Sequence, residues 1–197
     1  MNDEEKEFLA HYDLKKYDRP AVTSDCVVLA RKTGGRRAIL LIRRGNHPFK
    51  NCWALPGGFL NPNETAEQCA LRELAEETSL EADRLVPLGC FSTPHRDPRG
   101  WILSNAFLVL LTGDPCVKSG DDAADARWFD LSGSCSDERL TFQLTSGSVQ
   151  ISAQLKSVSV FGIQKFEPLP AATPSALAFD HAEIIAAAIA LLPGMDS

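Results

Sequence analysis

The chain has 197 residues, 44% hydrophobic and 23% charged, with a formal net charge of −6 and a sequence pI ≈ 5.2. This length and composition are those of a globular domain with a core of its own. The acidic balance argues against a nucleic-acid binder, which carries a basic face, but not against an anionic small molecule whose charge a bound cation offsets.

The opening MNDEEKEFLAHYDLKKYDRP has no basic stretch followed by an apolar run. It is therefore read as a charged surface arm or short helix over about residues 1–20 and not as a secretory signal. AFLVLL and IIAAAIALL are too short to cross a bilayer. The six cysteines, at 26, 52, 69, 90, 116 and 135, stand singly with no C-x-x-C pair. Zinc is not expected, and those in apolar runs read as small buried residues. These features make the cytoplasm the expected compartment, with no membrane partner.

AVTSDCVVLA and RAILLIRR are strands joined by the hairpin-like turn RKTGG. WALPGGFL reads as a short strand broken at Pro56-Gly57-Gly58. Thr65 with Gln68 three residues on forms a capping box that opens a helix. LVPLGCF and WILSNAFLVLL are strands on either side of the loop STPHRDPRG, and ARWFDL is another short strand. LTFQLTSGSVQISAQL alternates apolar and polar residues around Ser146-Gly147, the pattern of a hairpin. After the Pro-rich link FEPLPAATP, LAFDHAEIIAAAIALL has helical composition over about 180–192, with Asp180 as N-cap and Glu183 as its partner. The region of about 132–170 reads as an insertion before this last helix. Its hairpin could extend the sheet, cover a site or join two copies in a homodimer. The order of elements predicts a single mixed α/β domain over 1–197, with a sheet between helices.

The first helix raises a question of charge. At roughly 100° per residue, Glu73, Glu76 and Glu77 project from one face and repel one another. Leu71, Leu74, Ala75 and Thr78 fall opposite and would pack on the sheet. Ala66, Cys69 and Ala70 are small and would leave the acidic face open to close approach. A divalent cation relieves the repulsion, and carboxylate oxygens suit Mg²⁺ or Mn²⁺ with phosphate as co-ligand. A solvated acidic helix face accounts for the triplet equally well.

The surroundings decide between the two. Gly58, five residues, Glu64, seven residues, Arg72-Glu73-Leu74, one residue, Glu76-Glu77, then Leu80 resembles the Nudix box. The one departure is Ser79, where the family has glycine. The resemblance implies an α/β/α sandwich with a mixed sheet and the box as a loop–helix–loop. It also implies hydrolysis of a nucleoside diphosphate linked to another moiety. By resemblance, Glu73 and Glu77 are metal ligands, and Glu76 ligates the metal or orients a metal-bound water. The carbonyl of Gly57 is a further ligand, while Gly58, Glu64 and Arg72 hold loop and helix together. Ser79 should end the helix at positive φ, at a cost of about 1 kcal/mol.

In STPHRDPRG, Arg96 and Arg99 flank Asp97-Pro98, and Pro98 stiffens the arc that carries them. The planar fork of arginine suits phosphate. RDPRG, YDRPAVTSDCVVL and LAFDHAEII are similar to segments of the ADP-ribose pyrophosphatase group of Nudix enzymes. That resemblance implies Mg²⁺-assisted conversion of ADP-ribose to AMP and ribose 5-phosphate. Arg44, Arg96, Asp97 and Arg99 would be substrate contacts, and Glu76 or Asp122 (with Asp121 beside it) the general base. Arg43 is a further phosphate candidate. Trp53, Phe49 and Phe91 are candidates to stack on adenine. His11, His47 and His181 lack partners at metal-ligand spacing, so no histidine is given a catalytic role. Three alternatives stand: the same chemistry on NADH, a sugar nucleotide, a dinucleoside polyphosphate or an oxidised nucleotide; an ADP-ribose-sensing regulator; and an isopentenyl diphosphate isomerase, supported only by Cys52 and Cys69 near the loop. The segment after residue 131 has few basic residues and no helix-turn-helix pattern, so a nucleic-acid partner is not expected.

Overall fold

The computed structural model describes residues 1–118, 120, 123–160, 163–169 and 176–192. After a capped helix α1 (Asp3–Ala10), β1 (Ala21–Arg31) and β2 (Arg37–Arg44) form an antiparallel pair with Leu29 opposite Ile39. WALPGGFL divides into two short strands, β3 (Trp53–Ala54) and β4 (Gly57–Phe59), and α2 (Ala66–Thr78) follows. Next come β5 (Val86–Phe91), β6 (Ile102–Thr112), β7 (Ala123–Cys135), β8 (Arg139–Ser146), β9 (Val149–Val160), β10 (Ile163–Pro168) and α3 (His181–Ala190).

The ten-stranded sheet runs β10-β9-β8-β7-β2-β1-β6-β5, with β3 on β2 and β4 on β1. β1 and β6 are parallel and the other strand pairs antiparallel, so the sheet is mixed. Strand periodicity decides which helix covers which face. Cys26 and Val28 of β1 pack with Ala70 and Leu74 of α2. Their neighbours Val27 and Leu29 pack with Ile184, Ile185 and Ile189 of α3. The central strands are thus buried on both sides, which is why AVTSDCVVLA reads as a nearly continuous apolar run.

The segment of about 132–170 extends the sheet. ARWFDL is the middle of a much longer strand, since β7 has 13 residues and its far half pairs with β8. Leu140, Phe142, Leu144, Ile151, Leu155 and Phe166 all join the core cluster beneath α3. α1 buries none of its residues. Among the described residues no helix is long and apolar enough to cross a membrane.

Two local expectations need correction. The buried side of α2 is Cys69, Ala70, Leu74 and Thr78, so Cys69 and Ala70 face the sheet and do not border an open acidic face. Their small size lets helix and strand come together, and Cys26 Sγ donates to Ala70 O at 3.5 Å. Asp180 occupies the N-cap of α3 but makes no side-chain capping bond, because its carboxylate is taken by Arg96.

α2 opens with the Thr65–Gln68 capping box and closes at Ser79, which lies at φ 58, ψ 21, in the left-handed region. A side chain there is strained, and glycine is not. Ser79→Gly is expected to stabilise the fold by about 1 kcal/mol, raising Tm by about 2–4 °C. A calorimetric melt that does not move would show that Ser79 carries no strain.

Candidate active site

The loop from Trp53 to Phe59 and the face of α2 meet beside β1. Arg72 joins them. Its Nε and Nη2 donate to the two oxygens of Glu64 at 3.0 and 2.7 Å, and Nη2 also donates to the Phe59 carbonyl at 3.1 Å. Its Nη1 donates to Glu73 at 2.7 Å and to Glu76 at 3.1 Å. Glu64 accepts from the Asn61 N–H as well; with Arg72's hydrogen bonds as the main cause, its carboxyl is held down to about 2.

Glu77 takes a different partner, the Gly57 N–H, at 3.0 Å. Burial pushes its carboxyl up to about 8, against the lowering effect of that bond. Burial also raises Glu73, against the opposing hydrogen bond from Arg72. The backbone approaches very closely here: a Cβ on Gly58 would stand 2.3 Å from Glu73 Oε1. Any side chain at position 58 would displace that carboxylate.

The arginine loop divides its residues between two tasks. Arg96 is buried and forms a bidentate pair with Asp180, Nε to Oδ2 at 2.7 Å and Nη2 to Oδ1 at 2.5 Å. Burial opposes its charge, and the Asp180 bonds outweigh that, leaving its pKa raised. Asp97 is 3% exposed and accepts from the Arg99 N–H, Nε and Nη2. Arg96 and Asp97, read from the sequence as substrate contacts, are therefore both engaged inside the protein, because each finds an opposite charge under the surface. Arg99 differs: its side chain is 37% exposed. It lies over Phe59 at 4.8 Å and Phe179 at 5.4 Å, contacts that stabilise a cation without neutralising it. Arg44 lies over the same Phe179 ring at 4.9 Å, and its Nε donates to Pro48 O. Burial and the nearby Arg99 charge lower its pKa.

These pieces enclose a cleft of ≈ 460 Å³ lined by Arg44, His47, Gly57, Gly58, Phe59, Arg72, Glu73, Glu77 and Arg99, among others. A smaller hollow of ≈ 80 Å³ shares Arg44, Gly57, Gly58, Phe59 and Arg99 with it and reaches Asp25, Arg96 and His181. Asp25 accepts a short hydrogen bond from Ser104 Oγ. Burial pushes its carboxyl up to about 6, against that bond. The Leu55 N–H donates to His181 Nδ1 at 2.9 Å, so the neutral ring carries its proton on Nε2, 3.9 Å from Asp25 Oδ1. Burial holds His181 down to about 3 and therefore neutral.

Among the described residues, no three His, Cys, Asp or Glu side chains are grouped so as to hold a metal ion. The three glutamates do not converge, because Arg72 draws Glu73 and Glu76 to itself and Glu76 is largely exposed. The remaining donor set still suits a hard divalent cation. Glu73 and Glu77 line one cleft with the Gly57-Gly58 backbone, all oxygen donors, and burial drives both carboxylates toward their neutral forms. That is the condition a cation would reverse.

Asp121 and Asp122 lie outside the described residues. Trp53 is 5% exposed and packs edge-on against Phe129 at 4.8 Å, as a core residue. Phe91 is half-buried on the α3 side. Phe49 reaches the cleft region through Phe179, 4.8 Å away. Arg43 Nε donates to Asn51 O at 3.4 Å. Asp25, Ser104, Phe179, Asp180 and His181 were not given site roles from sequence. Gly120 was also missed: its N–H donates to Glu77 O, and a Cβ there would stand 1.9 Å from Glu76 O. The sequence signals for Asp25, Phe179, Asp180 and His181 are the resemblances of AVTSDC and LAFDHAEII, which single out no one residue, and neither segment contains Ser104 or Gly120.

A family model described as NUDIX domain matches residues 20–142. An ADP-ribose pyrophosphatase of Methanocaldococcus jannaschii is 43% identical over 129 residues, covering 64% of this chain and 73% of that protein. An ADPR responsive transcriptional repressor of Acinetobacter baylyi, NtrR, is 37% identical over 64% of this chain, which spans only 51% of the repressor's length. A crystal structure of a MutT/nudix family protein from Enterococcus faecalis superposes with a TM-score of 0.77 at 34% identity, covering 95% of this chain and 67% of that one. With more than half its length matched and the box residues assembled around one cleft, the chain belongs to the NUDIX family.

Proposed function

We propose that the protein is a Mg²⁺- or Mn²⁺-dependent pyrophosphohydrolase that cleaves ADP-ribose to AMP and ribose 5-phosphate. One observation carries this reading: a single cleft lined by the guanidinium-bearing Arg44 and Arg99 and by the half-buried carboxylates of Glu73 and Glu77. An arginine fork takes up phosphoryl oxygens. Paired carboxylates with glycine backbone beside them would hold a divalent cation, which would supply positive charge next to the phosphates. The name of the M. jannaschii relative selects ADP-ribose among the nucleoside diphosphates that this chemistry would accept.

Glu73 and Glu77, with the Gly57 carbonyl, would hold the cation. When bound, it supplies charge neutralisation at the phosphoryl oxygens and lowers the pKa of water. Arg44 and Arg99 orient the pyrophosphate. A carboxylate, Glu76 or Asp122, accepts the proton of the water as its oxygen bonds to phosphorus and the bridging P–O bond breaks. A nucleotide substrate supports a cytoplasmic location.

The test is incubation with Mg²⁺ and a panel of ADP-ribose, NADH, nucleotide sugars and dinucleoside polyphosphates, with products identified. We expect AMP and ribose 5-phosphate, and no turnover in EDTA. No hydrolysis of any member would sink the enzyme reading, whereas faster turnover of another member would overturn only the choice of ADP-ribose. The similarity to the A. baylyi repressor supports a second reading, an ADP-ribose-sensing regulator. Salt-dependent binding to cognate promoter DNA, reversed by ADP-ribose, would favour it.

A further inference from the structure

Three consecutive residues at the entry to α3 each hold a different wall of the cleft. Phe179 lies beneath both Arg44 and Arg99, with Phe49 edge-on against it at 4.8 Å. Asp180 takes both donor groups of Arg96. His181 accepts from the N–H of Leu55, two residues before Gly57, whose own N–H is held by Glu77. All three lie beyond residues 20–142, the span that matches the family model.

Two features show that this arrangement is more than a helix start. Phe179 sits at φ 53, a conformation that a bulky side chain adopts only when its surroundings over-determine it. Phe49 and Asn51 (φ 58 and 69) and His95 (φ 65) are also at positive φ, in the loop that follows Arg44 and in the loop that carries Arg96. Asp180, in turn, forgoes the capping bond its position offers and binds the arginine loop, 84 residues away in sequence. At Phe179 and Asp180 local backbone preference is overridden in favour of a contact with the cleft's arginines.

Two guanidinium groups placed close together repel each other and tend to move apart. A shared aromatic face attracts both and keeps them side by side, while the carboxylate of Asp97 pairs with Arg99 alone. We propose that Phe179 is a positioning residue for pyrophosphate: its ring holds Arg44 beside Arg99, whose Nε and Nη2 are steadied by Asp97, so that both guanidiniums meet one diphosphate, with Asp180 and His181 fixing the ring to the rest of the cleft. The inference rests on the reading of the cleft as a pyrophosphate site.

The probe is inorganic pyrophosphate, shared chemistry of every candidate substrate, titrated calorimetrically with Mg²⁺ present. Phe179→Leu is expected to weaken binding about tenfold, while Phe179→Tyr, which keeps the aromatic face, stays within about threefold of the parent. With whichever substrate is hydrolysed, Phe179→Leu should raise KM and leave kcat nearly unchanged, a split that loss of packing alone does not produce. If the leucine variant does not fold, Phe179→Met provides the same comparison with a flexible side chain. Unchanged affinity in the aliphatic variant, equal loss in the tyrosine variant, or no binding of pyrophosphate by the parent protein would each overturn the inference. Absence of hydrolysis with every panel member would instead defeat the proposed function, and the pyrophosphate affinities would still decide the role of Phe179.

Discussion

Glu77→Gln is expected to lower kcat roughly a hundredfold or more while the fold persists. Loss of partners that merely orient a metal's ligands costs about 10–100-fold, and loss of a charged ligand should exceed that. The fold should survive because burial already favours a neutral Glu77, with its carboxyl pushed up to about 8. Glutamine has the shape of that neutral form, and its amide oxygen can still accept from the Gly57 N–H. The sign of the accompanying pH dependence follows. Below about 8 the free protein keeps the proton, and a cation requires the ionised form, so binding releases a proton and apparent Mg²⁺ affinity rises with pH. Mg²⁺ titrations at pH 6 and pH 9, with melts of both proteins, check this. An active glutamine variant would contradict the ligand assignment, and one that fails to melt cooperatively would contradict the structural argument.

What could be read from the sequence was local. Gly58 to Leu80 is a contiguous run with fixed spacing, so Arg72, Glu73 and Glu77 could be found from it. The Thr65–Gln68 capping box follows from neighbours within a helical turn, and the left-handed Ser79 from its place in the box, where the family has glycine. What could not be read depends on contacts distant in sequence. RDPR presents two arginines of identical chemistry. Only the fold brings Asp180 to Arg96 and leaves Arg99 to Asp97 and the two phenylalanines. Asp180 had a sufficient local explanation as a helix cap, which concealed its actual partner. His181 showed no partner because its donor is the backbone of Leu55, 126 residues earlier. The alternation in LTFQLTSGSVQISAQL marked a hairpin, but periodicity does not say which strand a hairpin joins. Its pairing with β7, and so the extension of the central sheet, is tertiary information.

Arg96→Ala is expected to destabilise the fold by about 3–5 kcal/mol, the cost of removing one partner from a buried ion pair. From sequence alone, Arg96 would be expected to affect substrate binding more than folding; the structure reverses that order. Its side chain is 3% exposed and that of Asp180 7%, so water cannot replace the lost partner. The stranded Asp180 charge would then raise the cost of ionising the buried Asp25, whose carboxyl Arg96 helps to stabilise. Because a domain is stable by only about 5–15 kcal/mol, urea denaturation at pH 7 should show a large loss. The paired replacement Arg96→Met with Asp180→Leu should recover much of it, since the penalty comes from the unpaired charge and not from the missing bridge. Arg99→Ala is the comparison: its guanidinium is partly exposed and reaches the cleft, so it should raise KM, and it should also cost some stability because the buried Asp97 loses its partner. A loss below about 1 kcal/mol for Arg96→Ala would mean the pair behaves as a solvated one. Arg96 would then be free to serve the substrate, and the two arginines of the loop would no longer have separate tasks.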